Sequence, residues 1–400
     1  MLSWDKTPAL SEMRCARAWV DINLSALEHN VRSLKALLPP KCDLMSVVKA
    51  DAYGHGAVTV ARTALKSGAT WLGVATVPEG IELRQAEIDA PILVMGAVND
   101  PAEVLAIAQW NLQPTIVKPK QALIFSETLA ANNPAISMPV HLKLDTGMSR
   151  LGFSWERAVE FARFVQQLAH LETVSLYSHL ATADSPDPST MQLQHERFES
   201  AIAALKKENL LPPRLHLANT AATLSTDHDL CYDMVRVGLG TYGLYPSPHL
   251  ESATTLKPVL EVKAKITHLK NIKAGDGVSY GHRFIADKDM RIAIVGIGYA
   301  DGLPRILSNQ LEVVVNKTRV RQIGSITMDQ LMLDVSHLEG VQEGDIVTLL
   351  GQAGAHTLSA DQWAEMAGTI SWEILCSFKH RLPRIQSSEV EADAIALNVP

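Results

Sequence analysis

Eight short apolar runs alternate with segments of helical periodicity, and nothing else in this chain restricts its fold so strongly. The runs are DLMSVVK, WLGVATV, PILVMG, LQPTIV, PVHLKLD, TVSLYSH, RLHLAN and MVRVGLG, spread from near Asp43 to near Gly240. Their residues are apolar on both faces and rich in Val, Ile and Leu, as in strands covered on two sides. Between them, GAVTVARTALKSG has apolar residues at helical spacing and a stop at Gly68. WERAVEFARFVQQLAH repeats that periodicity, with Ser154 placed to cap it. STMQLQHERFESAIAALKKENL is long and amphipathic, and its Lys206 and Lys207 suit the negative end of a helix dipole. Eight alternations over roughly 230–240 residues predict a closed parallel barrel, for which about 250 residues is typical. An open doubly wound sheet is the alternative, but no GxGxxG follows the first strand.

The pattern changes after Leu256. VLEVKAKITHLKNIKAGDGVSYG, RIAIVGIGYADG, LEVVVNKTRVRQIGSITMDQLMLDVS and GDIVTLLG read as strands joined by turns, and helical periodicity returns only at SADQWAEMAG. The expected architecture is therefore α/β: an N-terminal (β/α)8 barrel, then a C-terminal β-rich domain. The expected boundaries are an extension over 1–15, the barrel over 16–255 and the β-domain over 256–400. A chain of 400 residues with 47% hydrophobic and 20% charged residues buries two such cores without staples. A net charge of −7 with no basic run argues against nucleic acid as a partner. Cys15, Cys42, Cys231 and Cys376 form no CxxC pair, so reduced thiols in the cytoplasm are expected, with neither disulfides nor a metal site. The N-terminus lacks a basic start followed by an apolar stretch, and no uninterrupted membrane span occurs.

A barrel gathers its chemistry at the C-terminal ends of its strands. Lys49 ends the first run; Lys143 and Asp145 lie on the fifth, with Arg150 just beyond. His179 ends the sixth, Asn219 and Thr220 follow the seventh, and Arg236 lies on the eighth. These residues point to one mouth. Lys49 is the most telling, because a lysine after an apolar strand is costly to desolvate unless it is paired or chemically employed. It either joins an aldehyde cofactor or reaches out to solvent. The glycine-rich YGHG that follows allows close approach of backbone to a ligand.

The string VVKADAYGHG closely resembles the cofactor-lysine motif of alanine racemases. HLKLDTGMSRLGF, SHLATAD, LANTAA, MVRVGLGTYGLYP, GVSYG, GIGYADG, GSITMDQ and GTISWEIL resemble further motifs of that family, in the family's order, from about Arg17 to Arg384. The resemblance implies a pyridoxal-phosphate (PLP) barrel followed by a β-domain, interconverting L- and D-alanine. It leaves open whether the product serves peptidoglycan synthesis or the enzyme serves alanine catabolism.

By resemblance, Lys49 holds the cofactor and is one catalytic base. Tyr280 is the base on the opposite face and comes from the partner subunit of a homodimer. Tyrosine is a poor base near neutral pH, its ordinary pKa being about 10. His179 and Arg236 are the matching groups that would assist it. Arg236 also faces the pyridine nitrogen and, as a permanent cation, donates there without giving up a proton. Arg150 binds the substrate carboxylate, as does the backbone N–H of Met328 from the partner. Lys143 matches a lysine that many members carry as an anionic carbamate beside that arginine. Tyr53, Asn219, Thr220, Gly238 and Leu239 match phosphate-binding positions, and Asp184, Tyr299 and Arg305 match residues of the access channel.

Two positions depart from the family pattern. Trp372 stands where a phosphate-binding tyrosine is usual, which puts phosphate binding, channel width and substrate range in doubt. Ser325 stands at the position of a channel arginine, so altered access is expected. A racemase of broader substrate range is one competing reading. A barrel-type PLP decarboxylase is another, weakened because Cys376, the sole cysteine beyond the barrel, lies in SWEILC rather than in a decarboxylase motif. A PLP carrier without turnover would give the β-domain no task.

Overall fold

The eight runs form eight strands: Asp43–Val47, Trp71–Val74, Ile92–Ala97, Gln113–Ile116, Met138–Asp145, Leu171–Tyr177, Arg214–His216 and Met234–Val237. In the computed structural model, which describes residues 17–132, 135, 137–378 and 380–387, successive strands pair in parallel and the eighth pairs with the first. Seventh and eighth are joined where the Asp233 N–H donates to Leu215 O (3.1 Å) and the Arg236 N–H to Ala218 O (3.0 Å). The barrel therefore closes. Cys15 and the expected extension over 1–15 lie outside the described residues.

Local chemistry sets the helices between strands. Pro101–Gln109 starts on Asp100, whose carboxylate accepts from the Ala102 N–H at 2.7 Å, with proline at the first position. Val77–Gln85 starts on a Thr76–Glu79 capping box. Ala57–Lys66 stops just before Gly68, whose φ of 114° is open chiefly to glycine. Ser189–Lys207 ends in Lys206 and Lys207 as read from sequence. Ser154 does not cap Ala158–Gln166. A short 3-10 turn, Trp155–Arg157, intervenes, and the Ser154 hydroxyl donates to Glu156 (3.1 Å).

The chain divides into two compact units. One comprises Ala26–Ala52 and Gly56–Lys257; the other holds the remaining described residues, Tyr53–His55 among them. In the second unit six strands close on themselves: Leu260–Ile272, Met290–Val295, Leu331–Asp334, Thr318–Ile323, Glu312–Val315 and Ile346–Ala353. The 13-residue strand Leu260–Ile272 serves both ends of that ring, because register breaks let it pair with Ile346–Ala353 along one half and Met290–Val295 along the other. Sequence places everything from residue 16 in the barrel. The strand that precedes the barrel, Ala18–Asn23, instead pairs antiparallel with Leu260–Ile272 and parallel with Arg384–Ser387. Its apolar run carries no sign of which sheet it will join.

Candidate active site

The barrel interior is polar at alternate positions of otherwise apolar strands. His141 and Lys143 project from the fifth strand, Ser175 and Tyr177 from the sixth, His216 from the seventh and Arg236 from the eighth, all buried. Two-residue spacing puts each pair on one face of its strand.

Arg236 sits at the centre. One of its terminal nitrogens, Nη1, donates to His216 Nδ1 (3.1 Å). The other, Nη2, shares its two hydrogens among Ser178 O (2.7 Å), Leu217 O (3.0 Å) and His179 Nδ1 (3.1 Å). The Tyr177 ring lies under the guanidinium, 5.1 Å away, and stacks on His216 with centroids 4.6 Å apart. Burial brings the arginine down to about 10, still charged at neutral pH. A guanidinium only donates, so both histidines accept at Nδ1 and carry their protons on Nε2. Burial and then the Arg236 charge hold His179 and His216 well below the usual histidine range.

Lys143 lies 5.4 Å from the Tyr177 ring centroid. Burial, and after it the charges of Arg236 and Arg150, push its amine down to about 8; Lys49 adds to this and Asp145 opposes it. Asp145 does not pair with that amine. Its carboxylate accepts the N–H groups of Gly147 (2.9 Å) and Ser149 (3.0 Å), bending the loop that carries the exposed Arg150. The charges of Arg236, Arg150 and Lys49 thus all act on Lys143, and Asp145 acts against them.

Lys49 follows the first strand and opens a turn in which Ala50, Asp51, Ala52 and Tyr53 all have φ between 51° and 55°. Four successive L-residues in left-handed helical geometry cost on the order of 1 kcal/mol each. Side chains offset this: Glu79 accepts from the Ala50 N–H (2.7 Å) and Asp51 from the Ala57 N–H (2.7 Å). Strain maintained in this way at a strand end marks a functional turn. Sequence drew attention to the glycines that follow, whereas the strained residues precede them.

After the seventh strand, Asn219 caps Thr220–Leu224 by accepting from the Ala222 N–H (3.1 Å). The N–H groups of Gly238 (3.1 Å) and Gly240 (3.4 Å) converge on the Thr220 hydroxyl. A Cβ on Gly240 would lie 2.9 Å from Thr220 Cγ2, so the close approach requires glycine. Leu239 opens the 3-10 turn Leu239–Tyr242, and Tyr242 ties it to the first strand by donating to Val47 O (2.8 Å). Backbone donors, a hydroxyl and four cations form a donor set that fits an anionic, phosphate-bearing aldehyde cofactor: an amine for the aldehyde, cations for the anionic oxygens and a guanidinium for a ring nitrogen.

The remaining expected residues divide between the units. Asp184 is exposed on the barrel loop after His179. Tyr53 belongs to the second unit, where burial raises its phenol. Trp372, half-buried on Ser371–Ser377, belongs there too. Tyr299 and Arg305 line a pocket of ≈ 510 Å³ within that unit, together with Glu373 and Cys376. Tyr280 starts a short turn and is 75% exposed, and Met328 is 53% exposed. The Tyr299 and Ala300 N–H groups donate to Thr327 O and Met328 O, both at 3.0 Å, and a Cβ on Gly298 would strike that loop at 2.3 Å. Ser325 is fully buried. Its hydroxyl donates to Tyr280 O (2.9 Å), and its own carbonyl accepts from the Ser279 hydroxyl (2.8 Å). It braces the tyrosine turn, a role its sequence position did not suggest.

Sequence reasoning missed Gln113, His141, Ser175, Tyr177, Glu79 and His216. For the strand residues the available signal was the two-residue alternation of polar side chains within apolar strands; Glu79 lies on the helix Val77–Gln85 and carried no such signal. Among the described residues, no group of histidine, cysteine and carboxylate side chains is arranged to hold a metal, and no helix is long and apolar enough to cross a membrane.

Comparison with known proteins adds to this geometry. Residues 22–246 match the family model described as alanine racemase, N-terminal domain, and residues 259–386 that of the C-terminal domain. An alanine racemase of a Nostoc strain is 63% identical over 92% of this chain and 95% of its own length; one of a Synechocystis strain is 58% identical over 92% and 98%. Among solved structures, the alanine racemase of Bacillus anthracis with bound L-Ala-P has a TM-score of 0.87 at 35% identity, over 93% of this chain and 95% of that one. The alanine racemase of Clostridium difficile 630 has a TM-score of 0.88 at 32% identity, over 93% and 96%.

Proposed function

The chain belongs to the alanine racemase family, and from that premise we propose that Lys49 and Tyr280 are the two bases of the reaction, the tyrosine acting in the partner's site. The activity is interconversion of L- and D-alanine, and the family is PLP-dependent. The observation that supports Lys49 in this assignment is its place at a strand end among the charges of Lys143, Arg150 and Arg236, with His179 and His216 held well below the usual histidine range beside Arg236.

When bound, PLP supplies an electron sink that acidifies the Cα–H of the attached amino acid. Lys49 would hold it through its aldehyde carbon, and Thr220, Gly238 and Leu239, with Asn219, Tyr53 and Trp372, would hold its phosphate. Arg236 would donate to the ring nitrogen without protonating it, which keeps the sink weak and disfavours side reactions. Arg150 and the Met328 N–H would hold the substrate carboxylate, and Asp184, Tyr299 and Arg305 would line the access channel.

Racemisation then requires a proton to leave Cα on one face and another to arrive on the opposite face. Lys49 Nζ serves one face and Tyr280 Oη the other. The Nε2–H of His179 is available to the phenol oxygen as a hydrogen-bond donor. Exposure of Tyr280 and Met328, with Ile285 and Ile306 also exposed, supports a homodimer in which a second copy covers these residues. The neutral form of Lys143, accessible from a pKa of about 8, can add carbon dioxide at nitrogen with release of one proton. The resulting carbamate would supply Arg150 with an anionic partner that it does not have among the described residues. Cys42, Cys231 and Cys376 form no disulfide among the described residues, which supports a cytoplasmic location. We read the barrel and the β-rich unit as two domains.

Lys49→Ala should abolish both D-alanine formation from L-alanine and the yellow absorbance of lysine-bound PLP. Tyr280→Phe should keep the absorbance and lose activity by roughly 10²–10⁴-fold. Unchanged racemisation by Tyr280→Phe would overturn the two-base assignment.

A further inference from the structure

The polar contacts of Arg236 continue down the barrel axis. His216 Nε2 meets Ser175 Oγ at 3.1 Å, Ser175 Oγ meets His141 Nδ1 at 2.5 Å, and His141 Nε2 meets Gln113 Oε1 at 2.8 Å. The line thus crosses five strands, from the mouth toward the N-terminal ends, where Gln113 and His141 share a pocket of ≈ 320 Å³ with Trp71 and Arg214.

The direction of every bond in this line follows from chemistry. Arg236 can only donate, so His216 accepts at Nδ1 and donates from Nε2. Ser175 accepts that proton and has one of its own to give. His141 Nδ1 is its acceptor, which leaves the His141 proton on Nε2, facing the Gln113 carbonyl oxygen. The opposite polarity at His141, with the Gln113 amide reversed, leaves the buried serine proton without an acceptor among the described residues, at a cost of roughly 1–3 kcal/mol. Both imidazoles are neutral: burial and the Arg214 charge hold His141 down at about 3, and burial and Arg236 hold His216 well below the usual range. The rings are also fixed in plane, His216 stacked on Tyr177 and His141 edge-on to Trp71 at 5.6 Å.

We propose that Ser175, His141 and Gln113 are positioning residues that lock the tautomer of His216 and thereby aim the Arg236 guanidinium. The consequence for turnover rests on the reading that Arg236 faces the cofactor ring nitrogen. With the line broken, His216 can move its proton to Nδ1. Donor then opposes donor at Arg236, and the guanidinium loses one of the acceptors that orient it.

The test is side-chain nitrogen NMR of the cofactor-loaded protein labelled with 15N-histidine, read beside kcat for L-alanine. In the unaltered protein both His216 and His141 should show the Nε2–H tautomer. His141→Phe removes the acceptor for Ser175. It should give mixed tautomers at His216 and lower kcat about tenfold, the scale of one net hydrogen bond. His141→Asn keeps an acceptor oxygen where Nδ1 stood and should restore the tautomer and most of kcat. If His141→Phe does not fold, Gln113→Leu removes the last acceptor instead, with the same expectations. An Nδ1–H signal from either ring in the unaltered protein, a fall in kcat with the His216 tautomer unchanged, or an equal loss in His141→Asn would each overturn the proposal. Absence of racemisation in the unaltered protein would refute the functional reading instead, while the tautomers are decided by the spectra alone.

Discussion

The two units prepare their reactive groups in opposite ways. In the barrel, Arg236 is buried and makes four polar contacts within its own unit, and Lys143 sits against Tyr177. In the second unit, Tyr280 and Met328 stand exposed on short loops, their backbones braced by Ser325 and Gly298 while their side chains project outward. The barrel groups are organised within their own unit; on the proposed reading, the second unit presents groups that a partner subunit completes. Damage to the buried barrel groups should therefore cost stability, and damage to the exposed groups of the second unit should cost activity alone.

Acid should separate them most strongly. His141, His179 and His216 have folded pKa values below the unfolded value of about 6.5, so the unfolded chain takes up protons that the fold refuses. Their contribution is fully present above that value and is lost as pH falls below it, by up to about 4 kcal/mol per pH unit for three protons. Urea unfolding between pH 7 and 4.5 should show this fall in probes of the barrel; a flat profile would mean that these rings protonate while folded.

Arg236→Met comes next. It strands two backbone carbonyls and two histidine nitrogens in the interior and should cost about 3–5 kcal/mol in urea unfolding. Tyr280→Ala, at an exposed position, should stay within about 0.5 kcal/mol of the unaltered protein while losing activity. Comparable stability losses in both would erase the contrast between the units. Ser325→Ala should have the smallest effect. It removes one buried hydrogen bond to the tyrosine turn, worth about 1 kcal/mol, and should lower kcat a few-fold with the KM for alanine little changed. An unaltered kcat would show that the turn needs no such brace.

Much of the barrel half of this contrast was legible in the sequence. Two-sided apolar runs at regular spacing require covered parallel strands, and Lys49, Lys143, His179 and Arg236 fall at their ends because strand length fixes where each run stops. Three features were not legible, each for a physical reason. Ala18–Asn23 is a short, mostly apolar strand like those of the barrel, and only pairing with Leu260–Ile272 decides its sheet. The left-handed turn after Lys49 is built from Ala, Asp and Tyr, residues that do not prefer it, and depends on Glu79, distant in sequence. The axial line of histidines and serine scatters one or two polar residues over each of five strands, and they meet only when the barrel closes.

On the proposed reading, one active site takes its lysine from one protomer and its tyrosine from the other, and mixing two inactive variants should rebuild such a site. Lys49→Ala and Tyr280→Phe, each inactive alone, would be unfolded together, refolded and assayed for D-alanine. Random pairing makes about half of the dimers mixed, each with one intact site, so activity should return to about a quarter of that of the unaltered protein. No recovery, with mixed dimers demonstrably formed, would contradict the shared site.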